Sequence, residues 1–285
     1  MAHYVIIGNG VAGTTAAENI RKLDKAGKIT VVTEETTPFY SRMRLPEFIS
    51  GDLAEDKLIA KSDQWYKDQG IDLKLNTRIQ GANPGKKTVV TRSNQEIPYD
   101  RLLVATGSRS FIPPMKGADT RGVFALRSIQ DARDIIAWAK SVQKVVLIGG
   151  GLLGLEAGNA LRKLGKKGMV VEFFPRLLPR QLDVAGGGRL QTIMEGMGFS
   201  FRLGAKTREI KGEDRVTGVL LEGGELLPAE MVIISAGVRP ALELAEVLNL
   251  DQDKGIKVDE QMRTTQPGIY AAGDVAEFKG LPYGI

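Results

Sequence analysis

Short apolar runs that lead into glycine-rich turns dominate the pattern of this chain. Residues 4–20 predict a strand, a glycine turn and then a helix of small residues, and residues 144–161 repeat that plan. Each copy is followed by a second apolar run, at 29–32 and at 169–171, that leads to acidic residues. Because strands of a parallel sheet are buried on both faces, these continuous runs indicate two βαβ units.

Other apolar runs stand directly before turn residues and predict further strands. A helix is predicted over 127–140 from the helical spacing of its apolar positions, and Pro113 and Pro114 mark a linker. The three glycines at 186–188 predict a break just inside the helix expected after Asp183. The further predicted strands are 102–105, 231–234 and 268–272.

The two glycine turns have the spacing Gly-x-Gly-x-x-Gly, at 8–13 and at 149–154. In this fingerprint the first glycine permits a tight turn, the second lets the backbone approach a pyrophosphate, and the third lets helix and strand pack closely. The N-terminus of the helix then offers unpaired N–H groups to the phosphates. Two copies, each within a strand–turn–helix and each followed by an acid after the next strand, predict two dinucleotide sites.

The acid that follows the second strand of such a unit accepts hydrogen bonds from the adenosine ribose. Glu172 has this position in the second unit and favours NAD(H) over NADP(H), because a carboxylate repels a 2′-phosphate. Arg176 is close enough in sequence to leave NADP(H) as the less favoured alternative. In the first unit Glu34 and Glu35 are alternative ribose partners.

The chain contains no cysteine and one histidine, which restricts its chemistry. Disulfides, thiolate metal sites, iron–sulfur ligation and a redox dithiol are excluded. His3 alone cannot form a zinc centre, which needs three or four ligands, and a structural role at the start of the first strand is expected for it. We therefore predict no metal site and no catalytic nucleophile, so that redox chemistry must belong to a bound cofactor.

Composition adds little about partners. The 285 residues are 42% hydrophobic and 26% charged, as in soluble globular proteins. The net charge is +5, but the basic residues are scattered among acids, which favours an ordinary solvated surface over a nucleic-acid site, with a mildly basic face that steers an acidic protein partner as the alternative. No apolar run approaches the roughly 20 residues that span a bilayer, and no targeting segment is recognised, so a cytoplasmic location is expected.

Seven stretches together resemble a known family. They are residues 5–13, 38–42, 105–109, 126–128, 171–179, 235–240 and 272–275. Over essentially its whole length the chain resembles the FAD-dependent pyridine nucleotide oxidoreductase superfamily. Within it, the chain is most similar to rubredoxin reductases, NADH-dependent ferredoxin reductases and the flavoprotein part of NADH-dependent nitrite reductase.

The resemblance implies an α/β fold with two Rossmann-like dinucleotide-binding domains. The FAD-binding domain is expected to be discontinuous, with residues 1–114 as its first part and 244–285 as its second. The NAD(P)H-binding domain, residues 115–243, is inserted between them. Relatives continue into a C-terminal interface domain that often forms a dimer. That domain would be missing here, and a homodimer is implied for the full-length form.

The resemblance also assigns candidate site residues. Glu156 corresponds to an acid near the nicotinamide in many relatives, with a helix-surface charge as the alternative. The FAD candidates are Gly8, Asn9, Gly10, Val11, Ala12, Gly13, Glu34, Glu35, Arg42, Ile79, Ala105, Thr106, Gly107, Arg109, Arg127, Gly273 and Asp274. The NAD candidates are Gly149, Gly150, Gly151, Leu152, Leu153, Gly154, Glu156, Glu172 and Gly237.

The function implied is that of an FAD-dependent NAD(P)H oxidoreductase. Electrons would pass from NADH to FAD and on to an acidic carrier protein such as rubredoxin or ferredoxin. The alternatives are an NADH oxidase, a quinone reductase or the flavoprotein component of a nitrite reductase. An alternative of another class is an NADH-responsive flavoprotein that binds a protein partner. Disulfide reductases of the superfamily carry a cysteine pair, which this chain lacks.

Overall fold

The computed structural model describes residues 1–282. Residues 283–285, which end the predicted second part of the FAD domain, lie outside the described residues. Within residues 1–282, no helix is both long enough and apolar enough to cross a membrane. The strands are β1 His3–Ile7, β2 Lys28–Val32, β3 Ile71–Lys74, β4 Ile79–Asn83, β5 Thr88–Thr91, β6 Glu96–Pro98, β7 Arg101–Val104, β8 Ser108–Ser110, β9 Val123–Phe124, β10 Lys144–Ile148, β11 Lys167–Glu172, β12 Ser200–Leu203, β13 Thr207–Lys211, β14 Gly218–Leu221, β15 Leu226–Pro228, β16 Met231–Ile234, β17 Val238–Pro240, β18 Ile256–Lys257, β19 Ile269–Ala271, β20 Ala276–Phe278 and β21 Leu281–Pro282. The α-helices are α1 Val11–Leu23, α2 Leu45–Ser50, α3 Asp63–Asp68, α4 Ile129–Ala139, α5 Leu152–Lys163, α6 Val184–Gly196 and α7 Glu243–Val247.

The chain divides into two compact units, and both are discontinuous. Unit 1 comprises residues 1–41, 59–109 and 238–285, and unit 2 comprises residues 42–58 and 110–237. Each unit contains one of the two glycine fingerprints, so the duplication in the sequence corresponds to a duplication in the fold.

The sheet of unit 1 is parallel, with the strand order β19-β7-β1-β2-β3. Strand β1 lies in the middle because its residues are almost all apolar, and Val5 and Ile6 are fully buried. From β1 the chain first builds the sheet towards β2 and β3, and later returns to the other side of β1 with β7. Ligands of open α/β sheets bind at such a switch point, outside the carboxyl ends of the strands.

The sheet of unit 2 has the same plan, with the order β12-β11-β10-β16-β9, again parallel. Strand β10 takes the position of β1, and β16 takes that of β7. Each unit also contains its own three-stranded antiparallel sheet at the corresponding point along the chain. In unit 1 this sheet is β4-β5-β6, between β3 and β7, and in unit 2 it is β13-β14-β15, between β12 and β16. The predicted α/β fold with two Rossmann-like units is therefore confirmed.

Residues 42–58 follow β2 of unit 1 along the chain, but they belong to unit 2. Helix α2 lies in this segment and contacts α4 and α5, with Leu45 and Ile49 buried. Two ion pairs add to this packing, and each has an N–O distance of 2.5 Å: Asp52–Lys163 and Glu55–Arg133. These side chains are partly exposed, so apolar burial contributes more to the contact than the ion pairs do.

Helix α6 continues through the three glycines at 186–188, so the predicted break is wrong. Two contacts stabilise the helix start against the poor helix propensity of glycine. The side chain of Asp183 caps the helix by accepting a hydrogen bond of 2.7 Å from Gly186 N. Gly187 is buried against the preceding loop, where a Cβ would lie 3.1 Å from the carbonyl oxygen of Leu177.

Gly188→Ala is expected to raise the free energy of unfolding by about 0.5–1 kcal/mol, because alanine is the better helix former. A Cβ at Gly188 would have no neighbour within 4 Å in the described part of the chain, so nothing opposes the gain. Urea unfolding of the variant measures the shift. Gly187→Ala is the matched control, because its Cβ would be crowded by the Leu177 carbonyl. Equal gains for the two variants would contradict the packing of α6 on that loop.

Candidate functional site

The first fingerprint forms the turn between β1 and α1 in unit 1. Gly8 has φ +111°, a conformation that favours glycine, and a Cβ there would collide with the carbonyl oxygen of Ala105 at the end of β7. A Cβ at Gly13 would collide with the carbonyl oxygen of Gly8. The turn is thus tight, and α1 begins directly behind it at Val11, whose side chain is 71% exposed.

Two further turns of unit 1, one after β7 and one after β19, lie at the carboxyl ends of the strands, as the fingerprint turn does. Strands β7 and β19 are neighbours, and their turns contain Gly107 and Gly273, both with positive φ. The Ser108 hydroxyl donates a 2.6 Å hydrogen bond to Asp274 Oδ2 and so joins the two turns. The turn that contains Gly273 also lies close to the fingerprint, since a Cβ at Gly273 would be 3.0 Å from Ala12 Cβ. Unit 1 therefore brings three predicted cofactor-binding segments together.

The remaining candidates of unit 1 are more scattered. Glu34 is exposed and lies 3.7 Å from Arg78. Glu35 is half-buried, and its backbone N–H donates to the Thr33 hydroxyl. Ile79 is 6% exposed and packs in the core. Arg109 is partly exposed and forms an ion pair of 2.6 Å with Glu243.

The second fingerprint forms the equivalent turn between β10 and α5 in unit 2. Gly149 has φ +108°, and a Cβ there would collide with the carbonyl oxygen of Ser235 at the end of β16. This matches the contact of Gly8 with the end of β7. Leu152 and Leu153 begin α5 and are 59% and 44% exposed, as Val11 is at the start of α1.

Glu172, at the end of β11, folds back onto this turn. Its side chain is 6% exposed and accepts hydrogen bonds from Gly150 N at 2.5 Å and from Phe174 N at 2.8 Å. A Cβ at Gly150 would lie 2.9 Å from Leu177 Cδ2 and 3.1 Å from Glu172 Oε2, so a larger residue would crowd both side chains. Arg176 does not pair with the carboxylate and instead donates to the carbonyl oxygen of Pro179 at 3.1 Å. Among the described residues, no cationic side chain therefore pairs with the Glu172 carboxylate.

Four other candidates also belong to unit 2. Glu156 is exposed on α5, and Gly237 has φ +93° in an open place, since a Cβ there would meet no described atom within 4 Å. Arg127 N donates to Asp131 in the capping box that starts α4. Arg42 lies in the short 3₁₀ turn before α2. Arg42 and Arg127 thus belong to a different unit from the other FAD candidates.

Two features of the site were missed by the sequence analysis. One is the hydrogen bond between Ser108 and Asp274, which are 166 residues apart. The other is Tyr66, whose hydroxyl reaches Asn9 within the first fingerprint. Side-chain hydrogen bonds between distant segments leave no local pattern. The one signal in the sequence that could indicate such a bond is a residue with a polar group at a position expected to be buried, as Tyr66 is in α3.

Both units fit a dinucleotide. In each, the backbone forms a turn that side chains would fill, and the following helix presents its N–H groups there. The Nδ2 atom of Asn9 is buried and has no hydrogen-bond partner in the described part of the chain. The apolar residues exposed at the start of α1 and α5 would be covered by a bound ligand.

The fold and these turns define a class of two-dinucleotide oxidoreductases, and the sequence comparison agrees with it. The chain belongs to the pyridine nucleotide-disulphide oxidoreductase family, which it matches over residues 2–283. The resemblance found from the motifs is thereby confirmed. Membership implies that the chain binds a flavin and a nicotinamide dinucleotide.

Several proteins to which the chain is similar are named as reductases. The chain is 38% identical to a nitrite reductase [NAD(P)H] of Bacillus subtilis over 282 residues, which cover 99% of this chain but 35% of that protein. It therefore spans about a third of that relative's length. It is 34% identical to a rubredoxin-NAD(+) reductase of Pseudomonas putida, covering 98% of this chain and 73% of that one. A solved covalent putidaredoxin reductase–putidaredoxin complex superposes with a TM-score of 0.92 at 28% identity, covering 97% of this chain and 68% of that one.

Proposed function

We propose that the chain is an FAD-dependent NADH oxidoreductase that passes electrons from NADH to an electron-carrier protein. The observation that carries this proposal is the duplicated turn. Gly8 and Gly149 have the same positive φ within about 3°, and each lies against the carbonyl oxygen at the end of the neighbouring strand. Two such turns support two bound dinucleotides, one in each unit.

Unit 1 is proposed to bind FAD. The backbone at 8–13 would hold the pyrophosphate, and Asp274, oriented by Ser108, would accept a hydrogen bond from the ribityl chain. Glu34 and Glu35 remain the alternative partners of the adenosine ribose. When bound, FAD supplies the redox chemistry that a chain without cysteine cannot supply from its own thiols.

Unit 2 is proposed to bind NADH in preference to NADPH. The support is Glu172, whose buried carboxylate has no cation as partner among the described residues, since Arg176 donates elsewhere. A ribose 2′-hydroxyl can donate to that carboxylate, whereas a 2′-phosphate would be repelled by it. Gly237, with open space on its Cβ side, would permit a close approach of the nicotinamide end, and Glu156 is a candidate neighbour.

An electron-carrier protein is the proposed acceptor. Two relatives support it, because one is named for rubredoxin and one was solved covalently joined to putidaredoxin. The net charge of +5 suits an acidic carrier. The nitrite reductase relative supports a second candidate, in which the acceptor is a nitrite-reducing centre of a longer protein.

Anaerobic mixing of the FAD-loaded protein with NADH tests the proposal. The yellow flavin absorbance should bleach within seconds and return when oxidised rubredoxin or ferredoxin is added. NADPH should bleach it at least about tenfold less efficiently, a difference of about 1.4 kcal/mol in binding. Failure of NADH to bleach the flavin would refute the proposed activity. Equal rates with NADPH would refute the preference assigned to Glu172. Return of colour with nitrite-reducing protein but with no carrier would favour the second candidate.

A further inference from the structure

Tyr66 is a polar side chain in the core of unit 1. It lies on α3, where Ser62 caps the helix by accepting a hydrogen bond from Trp65 N, and it is only 1% exposed. Its hydroxyl donates a 2.8 Å hydrogen bond to Asn9 Oδ1, although 57 residues separate the two. A buried phenol is costly unless its hydroxyl has a partner, so this contact fixes where α3 meets the fingerprint.

Asn9 is held from two sides. Thr14, which is 2% exposed, donates to the same Oδ1 atom at 3.2 Å. The Tyr66 hydroxyl also has a hydrogen bond with the backbone of Phe39, while Thr14 is joined to it through their shared acceptor, Asn9 Oδ1. Burial raises the pKa of Tyr66, so its hydroxyl keeps its proton and remains a donor. A single phenol thus connects the fingerprint, the first turn of α1 and the segment that precedes residue 40.

Asn9 lies between the first two glycines of the fingerprint turn. It stands between Gly8, with φ +111°, and Gly10, the N-cap of α1. Since its side chain is fixed by two donors, the backbone on either side is fixed as well. A turn that is ordered before a ligand arrives does not lose that conformational freedom on binding, which increases affinity.

We infer that Tyr66 is a positioning residue for the dinucleotide phosphates of unit 1, acting through Asn9. The inference rests on the proposed binding of FAD by unit 1. It predicts that removal of one hydroxyl, remote in sequence from every fingerprint residue, weakens FAD binding and alters the surroundings of its phosphates.

Tyr66→Phe is expected to weaken FAD binding by the apoprotein about fivefold to tenfold, as for the loss of one buried hydrogen bond that orders the site. Titration of apoprotein with FAD, followed by flavin fluorescence, measures the affinity. Tyr99→Phe is the matched control. Tyr99 lies in the same unit, is 4% exposed, and its hydroxyl has no hydrogen-bond partner among residues 1–282. This control should bind FAD as the wild type does.

Two further measurements separate positioning from a general loss of stability. The ³¹P resonances of the bound FAD pyrophosphate should shift in Tyr66→Phe and stay unchanged in Tyr99→Phe. In an Asn9→Ala background, Tyr66→Phe should weaken FAD binding by less than about twofold further, because the two residues act as one unit.

The outcomes distinguish the two proposals. If wild-type protein does not bind FAD, the proposed function fails and this inference fails with it. If wild-type protein binds FAD, but Tyr66→Phe has the affinity and ³¹P spectrum of Tyr99→Phe, only the role of Tyr66 is refuted. A full effect of Tyr66→Phe in the Asn9→Ala background refutes the route through Asn9.

Discussion

Gly10→Val is expected to give a folded protein that is purified without flavin. Gly10 has φ −85° and ψ −166°, extended values that valine adopts readily, so the backbone need not change. It is the N-cap of α1, where glycine is preferred to valine, so the replacement is expected to cost the helix about 1 kcal/mol, too little to unfold the domain. The added side chain would stand where the pyrophosphate of FAD approaches the backbone. The visible absorbance of the purified protein and its circular dichroism measure the two effects.

A second glycine of unit 1 provides the control. Gly85 lies in the turn between β4 and β5, where a Cβ would make an ordinary contact of 3.5 Å with Asn83 Oδ1. Gly85→Val should therefore remain yellow. If Gly10→Val is as yellow as Gly85→Val, the first fingerprint does not hold the flavin phosphates. An unfolded Gly10→Val protein would contradict the expectation that this position accepts a valine side chain in the free chain.

The sequence was sufficient to predict the central strands and both fingerprint turns. Strands such as β1 and β10 are buried on both faces, so their apolar runs are continuous and easy to recognise. Glycines at fixed spacing reflect close backbone approaches that no other residue permits, and those at 8 and 149 have them. Glu172 was likewise predictable, because an acid at the end of the second strand is part of the same motif.

Other parts could not be predicted because they depend on distant residues. In the two three-stranded antiparallel sheets, the last strands, β6 and β15, have three residues each, too few for a clear alternation. The association of residues 42–58 with unit 2 depends on contacts with helices far along the chain, as Glu55 and Arg133 show with a separation of 78. Helix α6 forms despite its glycines because capping by Asp183 and burial of Gly187 outweigh propensity.

The hydrogen bonds that join separate segments belong to the same class. Ser108 lies in the stretch 105–109 that carries the resemblance and Tyr66 lies outside every such stretch, but no spacing reveals the partner of either, and each donates a hydrogen bond to a residue that a motif did identify. The motif residues predict where a dinucleotide would be held, and the proposal for Tyr66 is that such partners decide how rigidly it would be held. The domain boundaries and the individual site residues remain predictions that the variants proposed above can test.

Gly151→Val is expected to abolish the reaction with NADH and to leave the flavin bound. Gly151 has φ −76° and ψ 168°, and a Cβ there would meet no described atom of the chain within 4 Å. The free chain therefore has room for a valine, and only a bound pyrophosphate would exclude one. Reduction by NADH should fall at least about 100-fold in efficiency, a loss of about 2.8 kcal/mol. Anaerobic stopped-flow absorbance with NADH measures it.

Dithionite and a second glycine of unit 2 complete this test. Dithionite needs no nucleotide site, so it should reduce the flavin of Gly151→Val at the wild-type rate. Gly223 also has no described atom within 4 Å of a Cβ, and it lies in unit 2 between β14 and β15, so Gly223→Val should react with NADH normally. Because Gly10→Val should lose the flavin and Gly151→Val only the response to NADH, the two variants assign one cofactor to each unit. If NADH reduces the flavin of Gly151→Val at the wild-type rate, NADH does not bind at the second fingerprint. The proposed assignment of FAD to unit 1 and NADH to unit 2 is then wrong.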